Sequence, residues 1–331
     1  MKTAAIIRIL VGTVVAVVLI AALVLALTGY GIHNRFDRGD DSNEAIVQHD
    51  VASNDEERDK VEANAAMNTG SSTVAISDVD RIKINWVSGA INVVVGKGTE
   101  IAFTEGSSMP LTDTQKMHYA VHDRQLIISY CEQTVRTWAW LDIDQLHMPR
   151  KNLTVTIPEE AAELLNEIEI EAVSANVKVD GISAKKLQLE SISGSLNINH
   201  ADCENLELQS ISGWINAENV ETDKLEVETT SGKAQISCEA DQVDADSVSG
   251  MIVLTFMKNA PSILDVESVS GQVDITLPEN EDGFTAKLSS VSGSLFCDYP
   301  SIMRDKKCIV GNGFANYKFE TVSGNVHIRK S

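Results

Sequence analysis

Leu187-Gln188-Leu189-Glu190-Ser191-Ile192-Ser193-Gly194-Ser195-Leu196-Asn197-Ile198 is one copy of a phrase that recurs along this chain. Apolar residues alternate with polar ones on both sides of a Ser-Gly step. The recurring glycines are Gly89, Gly194, Gly213, Gly232, Gly250, Gly271, Gly293 and Gly324, and Ala175 takes the glycine place in one further copy. From Ala175 onward the intervals are 19, 19, 19, 18, 21, 22 and 31 residues, and the interval from Gly89 to Ala175 is 86. A repeat at a near-constant period decides the architecture before any other feature does.

Seven residues before the glycine stand Leu187, Leu206, Leu225, Val243, Leu264, Ala286 and Tyr317, and two after it stand Leu196, Ile215, Ala234, Ile252, Val273, Leu295 and Val326. The positions five before and four after are apolar in the same way. This is period-two alternation, the mark of strands with one buried face; a helix needs spacings of three and four. One repeat is too small to bury its own apolar face, so successive copies must stack. Stacked in parallel at about 4.8 Å per rung, nine copies make a rod roughly 40 Å long. Parallel crossovers favour the right hand. The chain therefore reads as all-β, a single-stranded right-handed parallel β-helix of about nine short rungs, preceded by one transmembrane helix.

Glycine reaches φ > 0 without steric cost, which a sharp bend requires, and the serine before it holds the bend through backbone hydrogen bonds. A second hydroxyl column lies three before the glycine, at Ser191, Ser210, Thr229, Ser247, Ser268, Ser290 and Thr321. Its members are expected to bond to one another along the ladder. The alternative, a serine nucleophile, needs a base within reach and a distinct environment. These serines are near-copies of one another, with no histidine at a matching offset.

The chain has 331 residues and a formal net charge of −21. Such an acidic balance argues against nucleic acid, which demands a basic footprint, and against docking on anionic lipid. Cys131, Cys203, Cys238, Cys297 and Cys308 show no C-x-x-C spacing, and an odd number cannot pair fully within one chain. Cys297 falls in an inward column and reads as a small core residue; a Cys297–Cys308 bridge across the last loop is the other reading.

Residues 9–28 carry no charge and are rich in Val, Leu, Ile and Ala, long enough to span about 30 Å of hydrocarbon. A cleaved signal peptide has a shorter apolar region and a small-residue cleavage site. Leu27-Thr28-Gly29-Tyr30-Gly31 matches that site poorly, so an uncleaved anchor is favoured. Lys2 and Arg8 before the span set only a slight charge bias. The layout of an early single span followed by a large β domain places that domain outside the cell. The expected organisation is a cytoplasmic tip and anchor over 1–31, an acidic flexible linker over 32–72, and a solenoid over 73–331 with a non-repeat insertion at about 95–165.

The insertion still holds strand-like runs at 101–103, 126–130, 138–143 and 153–157. A capping role is expected, because solenoid ends need a cover. Trp138 and Trp140 share one strand face and offer a ligand-facing aromatic pair as the alternative. His118 and His122 would lie some 13 Å apart on a strand, too far to share a metal. Neither a metal site nor a cofactor is expected.

Outward positions before the glycine are acidic or amide, as at Gln188 and Glu190, Glu226 and Glu228, and Asp244 and Asp246. Stacking turns these into an acidic stripe, a solvated face that deters aggregation. Calcium would need about six to eight oxygens in a cage. The face after the glycine is nearly neutral and carries Trp214, Met251, Val253 and Phe296. These four are the expected binding residues, toward an envelope protein or a cell-surface polymer.

The apolar N-terminal span, the break at Leu153-Thr154-Val155-Thr156-Ile157-Pro158 and the run of Val/Ile-Ser-Gly turns resemble one family. It is the putative-adhesin family of β-strand repeat proteins, a domain of unknown function common in Firmicutes, and the similarity covers about 75–331. The resemblance implies a membrane-associated β-solenoid, with some members beside envelope-stress signalling systems, and supplies no catalytic motif. The expected function is non-enzymatic: an adhesin or an envelope interaction and sensing module. A scaffold or regulator of envelope-stress signalling is the alternative. A polysaccharide-processing β-helix enzyme would need a carboxylate pair set apart at a defined separation, and here no rung is singled out.

Overall fold

The computed structural model describes residues 67–131, 149–162, 165–279 and 283–331. The expected anchor at 9–28, nearly all of the linker, and Trp138 and Trp140 lie outside the described residues. Among the described residues no helix is long and apolar enough to cross a membrane.

Strands β8 (Glu167–Ser191), β9 (Leu196–Ser210), β10 (Ile215–Thr229) and β11 (Lys233–Ser247) carry the regular repeats. They pair in parallel, with Leu187 beside Leu206, Leu206 beside Leu225, and Leu225 beside Val243. All four side chains are buried. Alternation slips by one residue at two further points in each coil. In β9 the buried residues run Leu196, Ile198, Ala201, Cys203, Leu206, Leu208. Two consecutive outward residues are what a strand shows where it turns a corner. The first corner stacks Gly181, His200 and Asn219, all left-handed, with φ of 74°, 52° and 54°. Each coil built from β8–β11 is thus three-sided. The short third side points Ala184, Cys203, Thr222 and Ala240 into the core, all buried. The 18-residue interval before Gly250 has a local cause: Ala217 pairs with Ile236 and Val220 with Cys238, so one corner residue is missing.

The turn works differently from the expectation. Among the turn glycines only Gly89 has a positive φ, 114°. At Gly194, Gly213, Gly232, Gly250, Gly271, Gly293 and Gly324 a Cβ would lie 1.8–2.1 Å from the carbonyl oxygen of the column residue in the adjacent coil. Glycine is needed because the stacked backbones approach too closely for any side chain. The hydroxyl column also departs from expectation. Its members do not chain together but close their own turns: Ser191 Oγ accepts the Gly194 N–H at 2.9 Å, Ser210 the Gly213 N–H at 2.9 Å, and Thr321 the Gly324 N–H at 2.7 Å. The serine before the glycine binds the coils together. Ser193, Ser212 and Ser231 each donate to a carbonyl of the preceding coil, Val173, Ile192 and Ile211, at 3.2 Å.

Both ends of the rod are stacked out of sequence order. At the C-terminal end, β12 (Met251–Thr255) and β13 (Ile263–Ser268) pair with β11. β14 (Val273–Leu277) follows on β12. The next coil in space is the last in sequence: β19 (Ala315–Thr321) lies on β13 and β20 (Val326–Lys330) on β14. β15 (Gly283–Ser290) and β16 (Leu295–Cys297) pack outside β19 and β20. A hairpin of β17 (Ile302–Arg304) and β18 (Lys307–Gly311) then covers the β15 edge antiparallel.

The N-terminal end repeats the device. β3 (Arg81–Gly96) pairs in parallel with β8, Gly89 beside Ala175. On its other edge it pairs in parallel with β6 (Gln125–Ser129) and β7 (Lys151–Pro158). The stretch expected to stand outside the repeat therefore supplies a further coil, Leu126 beside Ile82 and Leu153 beside Ile91. It lacks the Ser-Gly signature because Lys151 occupies the glycine column opposite Gly89. Antiparallel β4 (Glu100–Ser107) covers β7, and β5 (His118–His122) covers β6. The Lys151 side chain is wholly buried in this cap. Its ammonium donates to Glu105 Oε1 at 2.6 Å, to Gln115 O at 2.7 Å and to Tyr130 O, and lies 5.0 Å from the Trp86 ring centroid.

Candidate interaction surface

The expected binding residues all lie on the outer face of the strands after the turn. Trp214 is 68 % exposed, Phe296 51 % and Met251 37 %, while Val253 is half-buried. The register does not bring the four together. Met251 and Val253 share a coil, but the Lys233 and Gln235 coil separates them from Trp214. The coils of Asp274 and His327 separate them from Phe296. Phe296 packs edge-on against His327, whose Nε2 lies 2.9 Å from Asp298. On the coils up to that of Trp214 the face carries amides and hydroxyls: Asn176 Oδ1 accepts both the N–H and the hydroxyl of Ser195, and Asn219 Nδ2 donates to Asn199 Oδ1 at 3.0 Å.

A continuous apolar feature lies beside this face, on the turn itself. The residue two before the glycine column is Val87, Val173, Ile192, Ile211, Val248, Val269 or Val322 along the rod; each is half-buried, and Val291 on the outermost coil is 61 % exposed. Thr230 interrupts the line with a β-branched side chain of similar shape. Ser212 and Ser270 bond to the carbonyls of Ile192 and Val248, which fixes the turns one above another. Trp214 sits on the same turn as Ile211. This ridge was visible in the sequence as the Val/Ile before every Ser-Gly except Ser231-Gly232. Strict alternation counted it with neither face.

The acidic stripe forms on the opposite side of the ridge. Glu207, Glu226, Asp244 and Asp265 are register neighbours, as are Gln209, Glu228, Asp246 and Glu267. The rung exchange places Lys318 at one end, 3.0 Å from Asp265, 3.6 Å from Glu267 and 3.2 Å from Glu320. Lys83 closes the other end, 3.4 Å from both Glu169 and Glu171. Loss of water, then neighbouring carboxylates, raises the Glu228 and Asp244 carboxyls above their ordinary values. Glu190 is raised by the same loss of water, against a hydrogen bond from Gln188. Among the described residues, no group of three or more His, Cys, Asp or Glu side chains is arranged to hold a metal ion.

A recess of about 480 Å³ runs along the left-handed corner, between His200, Asn219, Glu221 and the loop after β12. The longer interval before Gly271 builds its wall. Glu239 accepts the backbone N–H groups of Met257, Lys258 and Asn259 at 3.3, 2.9 and 2.8 Å, and Lys258 Nζ lies 3.0 Å from Glu221.

Several solved structures are similar to this chain at low identity. A putative lipid binding protein from Parabacteroides distasonis has a TM-score of 0.45 at 16 % identity, over 80 % of this chain and 97 % of that one. A putative adhesin from Parabacteroides merdae scores 0.44 at 14 % identity, over 81 % and 97 %. A putative adhesin from Bacteroides fragilis scores 0.38 at 14 % identity, over 80 % and 97 %. No curated protein sequence matches this chain. The repeat, its Ser-Gly turns and the flanking strands fall within one family model, matched over residues 47–329: the chain belongs to the Toastrack DUF4097 family, a family of unknown function.

Proposed function

We propose that this protein is a single-pass membrane protein that presents a right-handed β-solenoid outside the cell, as a non-enzymatic adhesin or envelope interaction module. The observation that carries the reading is the ridge. An apolar line of half-exposed β-branched side chains runs from Val87 to Val291, with Trp214 beside it. Surface apolar residues are ordinarily scattered, and a contiguous line of them marks a contact surface. At one residue per coil the line is about 40 Å long, which suits an extended partner better than a small molecule. Next to it, on the coils of β8–β10, Asn176, Ser195, Asn199 and Asn219 supply amide and hydroxyl groups for hydrogen bonds.

The test is capture by the full-length chain in detergent, offered purified envelope polymers and solubilised membrane proteins. The control carries Ile211→Asp and Trp214→Asp. Retention of a polymer, lost in the control, supports adhesion. Retention of a membrane protein, lost in the control, supports the scaffold reading. Equal retention by both chains removes the ridge from the account, and a shortened glycan replaces this reading with an enzyme.

A further inference from the structure

The acidic stripe changes sign along its length. Glu207, Glu226, Asp244 and Asp265 stand in register on β9, β10, β11 and β13. The next strand out, β19, sets Lys318 beside Asp265. Lys287 of β15 pairs with Lys318, Lys307 of β18 with Lys287, and Arg304 of β17 with Lys307. Four carboxylates are thus followed by four cations in one column. Leu225, Leu264, Tyr317 and Cys308 are each next in sequence to a member of that column and are buried, so the column faces outward. Like charges directly opposite one another on neighbouring strands repel. Lys287, Lys307 and Arg304 are exposed, and among the described residues none of the three makes an ion pair. In the acidic run Lys186 reaches Glu207 and Lys224 reaches Glu226, whereas Asp244 has no ion pair among the described residues.

We propose that this face is a self-association surface: two copies pack with their rods antiparallel, the cationic run of each on the acidic run of the other. A two-fold axis along the strand direction, passing between Lys318 and Asp265, makes the surface complementary to itself. It sets Lys287, Lys307 and Arg304 over Asp244, Glu226 and Glu207 of the second copy. The two runs match in number, and both take their spacing from the strands, about 4.8 Å. Parallel rods would set like charge on like. Loss of water, then neighbouring carboxylates, raises the Asp244 and Glu228 carboxyls, and cations laid over them relieve the second cause. A stripe eight strands long and about 15 Å wide covers roughly 500 Å² per copy, less than the roughly 800 Å² of a standard interface. The dimer is therefore weak and salt-sensitive. The stripe lies across the ridge from the amide face, so the ridge stays free for a different partner.

The test treats the full-length chain in detergent, at about 0.05 M salt, with a carbodiimide, which joins an amine to a carboxylate without a spacer. Within one chain Lys307 and Glu226 are separated by five strand spacings, about 24 Å, so a Lys307–Glu226 linked peptide reports a second copy. The wild-type chain is expected to give that peptide, and a dimer by sedimentation velocity; about 0.5 M salt should remove both. Lys287→Glu with Lys307→Glu should lower the dimer fraction about tenfold or more, and so should Glu226→Lys with Asp244→Lys. Mixing these two variants should restore the dimer, because one copy is then acidic and the other cationic along the column, and a misfolded chain does not recover on mixing. A wild-type chain that stays monomeric at low salt overturns the proposal. So does a dimer that survives both charge reversals, which moves the contact to another surface. Links from Lys307 to residues 32–66 in place of Glu226 give the cations to the chain's own acidic segment and overturn the second copy.

Discussion

Gly324 stacks directly on Gly271, although Gly293 lies between them in sequence: a Cβ on Gly324 would sit 2.1 Å from the Gly271 carbonyl oxygen. Gly293 stacks in turn on Gly324, 2.0 Å by the same measure. The last coil of the chain is therefore an interior coil of the rod. β20 is flanked by β14 on one edge and β16 on the other. Ending the chain at Ser323 would remove an inner strand and leave β16 without a partner, rather than trim a frayed end. Native-state hydrogen exchange is expected to find the Val326 and Ile328 amides as slow as those of β10. Fast exchange there, as at an ordinary C-terminus, would refute the exchanged order.

The close stacking makes the turn glycines intolerant of a single methyl group. At Gly213 a Cβ would meet the Gly194 carbonyl oxygen at 2.0 Å, and that atom belongs to a backbone held by the ladder. Gly213→Ala is expected to cost about 3 kcal/mol or more, the upper range for overpacking. Gly106→Ala is the control, because its nearest contact is Asn152 O at 3.9 Å and its φ is not positive. Urea melts of the two variants decide it; equal midpoints would mean that the coils can move apart.

The buried hydroxyl three before the glycine should matter for its acceptor rather than its size. Ser210 Oγ takes the Gly213 N–H at 2.9 Å inside a turn closed to water. Ser210→Ala leaves that donor unpaired, at a cost of about 1–3 kcal/mol. Ser210→Thr keeps the acceptor, as Thr229 does for Gly232 at 3.1 Å. Thermal melts should therefore rank Thr near wild type and Ala well below; the reverse order would make side-chain volume the determinant.

These turns show where the sequence was readable and where it was not. The inward columns flanking Ser-Gly announced themselves because large aliphatic residues alternate there, and Leu187, Leu206 and Leu225 stack as that pattern requires. The third side stayed hidden because Ala184, Cys203, Thr222 and Ala240 are small or polar and carry little apolar contrast. The coil of β6 and β7 stayed hidden because a lysine stands in its glycine column and a long excursion splits it. The exchange of the last two coils left no local mark, since every coil offers the same ladder to its neighbours. The ridge was overlooked for a different reason: its residues occupy the turn, which belongs to neither strand face.

The exchange has an electrostatic consequence that distinguishes Lys318 from other surface lysines. It brings Lys318 against Asp265 and Glu267 at the end of the acidic stripe. Lys318→Met keeps the aliphatic stem and leaves those carboxylates without their cation. The variant is expected to melt below wild type at pH 7.5, with the gap narrowing at high salt, where exposed charges are screened. Lys178→Met, on the neutral face beside Asp180 alone, should melt near wild type. Equal melting of the two variants would show that the stripe does not need its terminal cation.

The stripe should make the fold more stable in mild acid than in mild base. Glu190, Glu228, Asp244 and Glu267 all titrate above their ordinary values, with loss of water the leading cause. Between the unfolded and folded values the folded chain holds protons that the unfolded chain has released. Stability therefore falls as pH rises through that window and is fully present below the unfolded carboxylate range. Carboxylates shifted the other way, Asp80 beside Arg124 and Glu279 beside Lys330, act in the opposite sense, but they sit at the surface, where ion pairs contribute little. Asp246, in the same stripe, is raised to about 7 by loss of water and then by neighbouring carboxylates, so melting temperature is expected to rise from pH 8 to pH 5.5. Glu190→Gln should flatten that rise without harming the fold, because Gln209 stands at the same place in the next coil. A melting temperature that climbs toward pH 8 instead would mean that the stripe is fully solvated and its carboxylates do not feel one another.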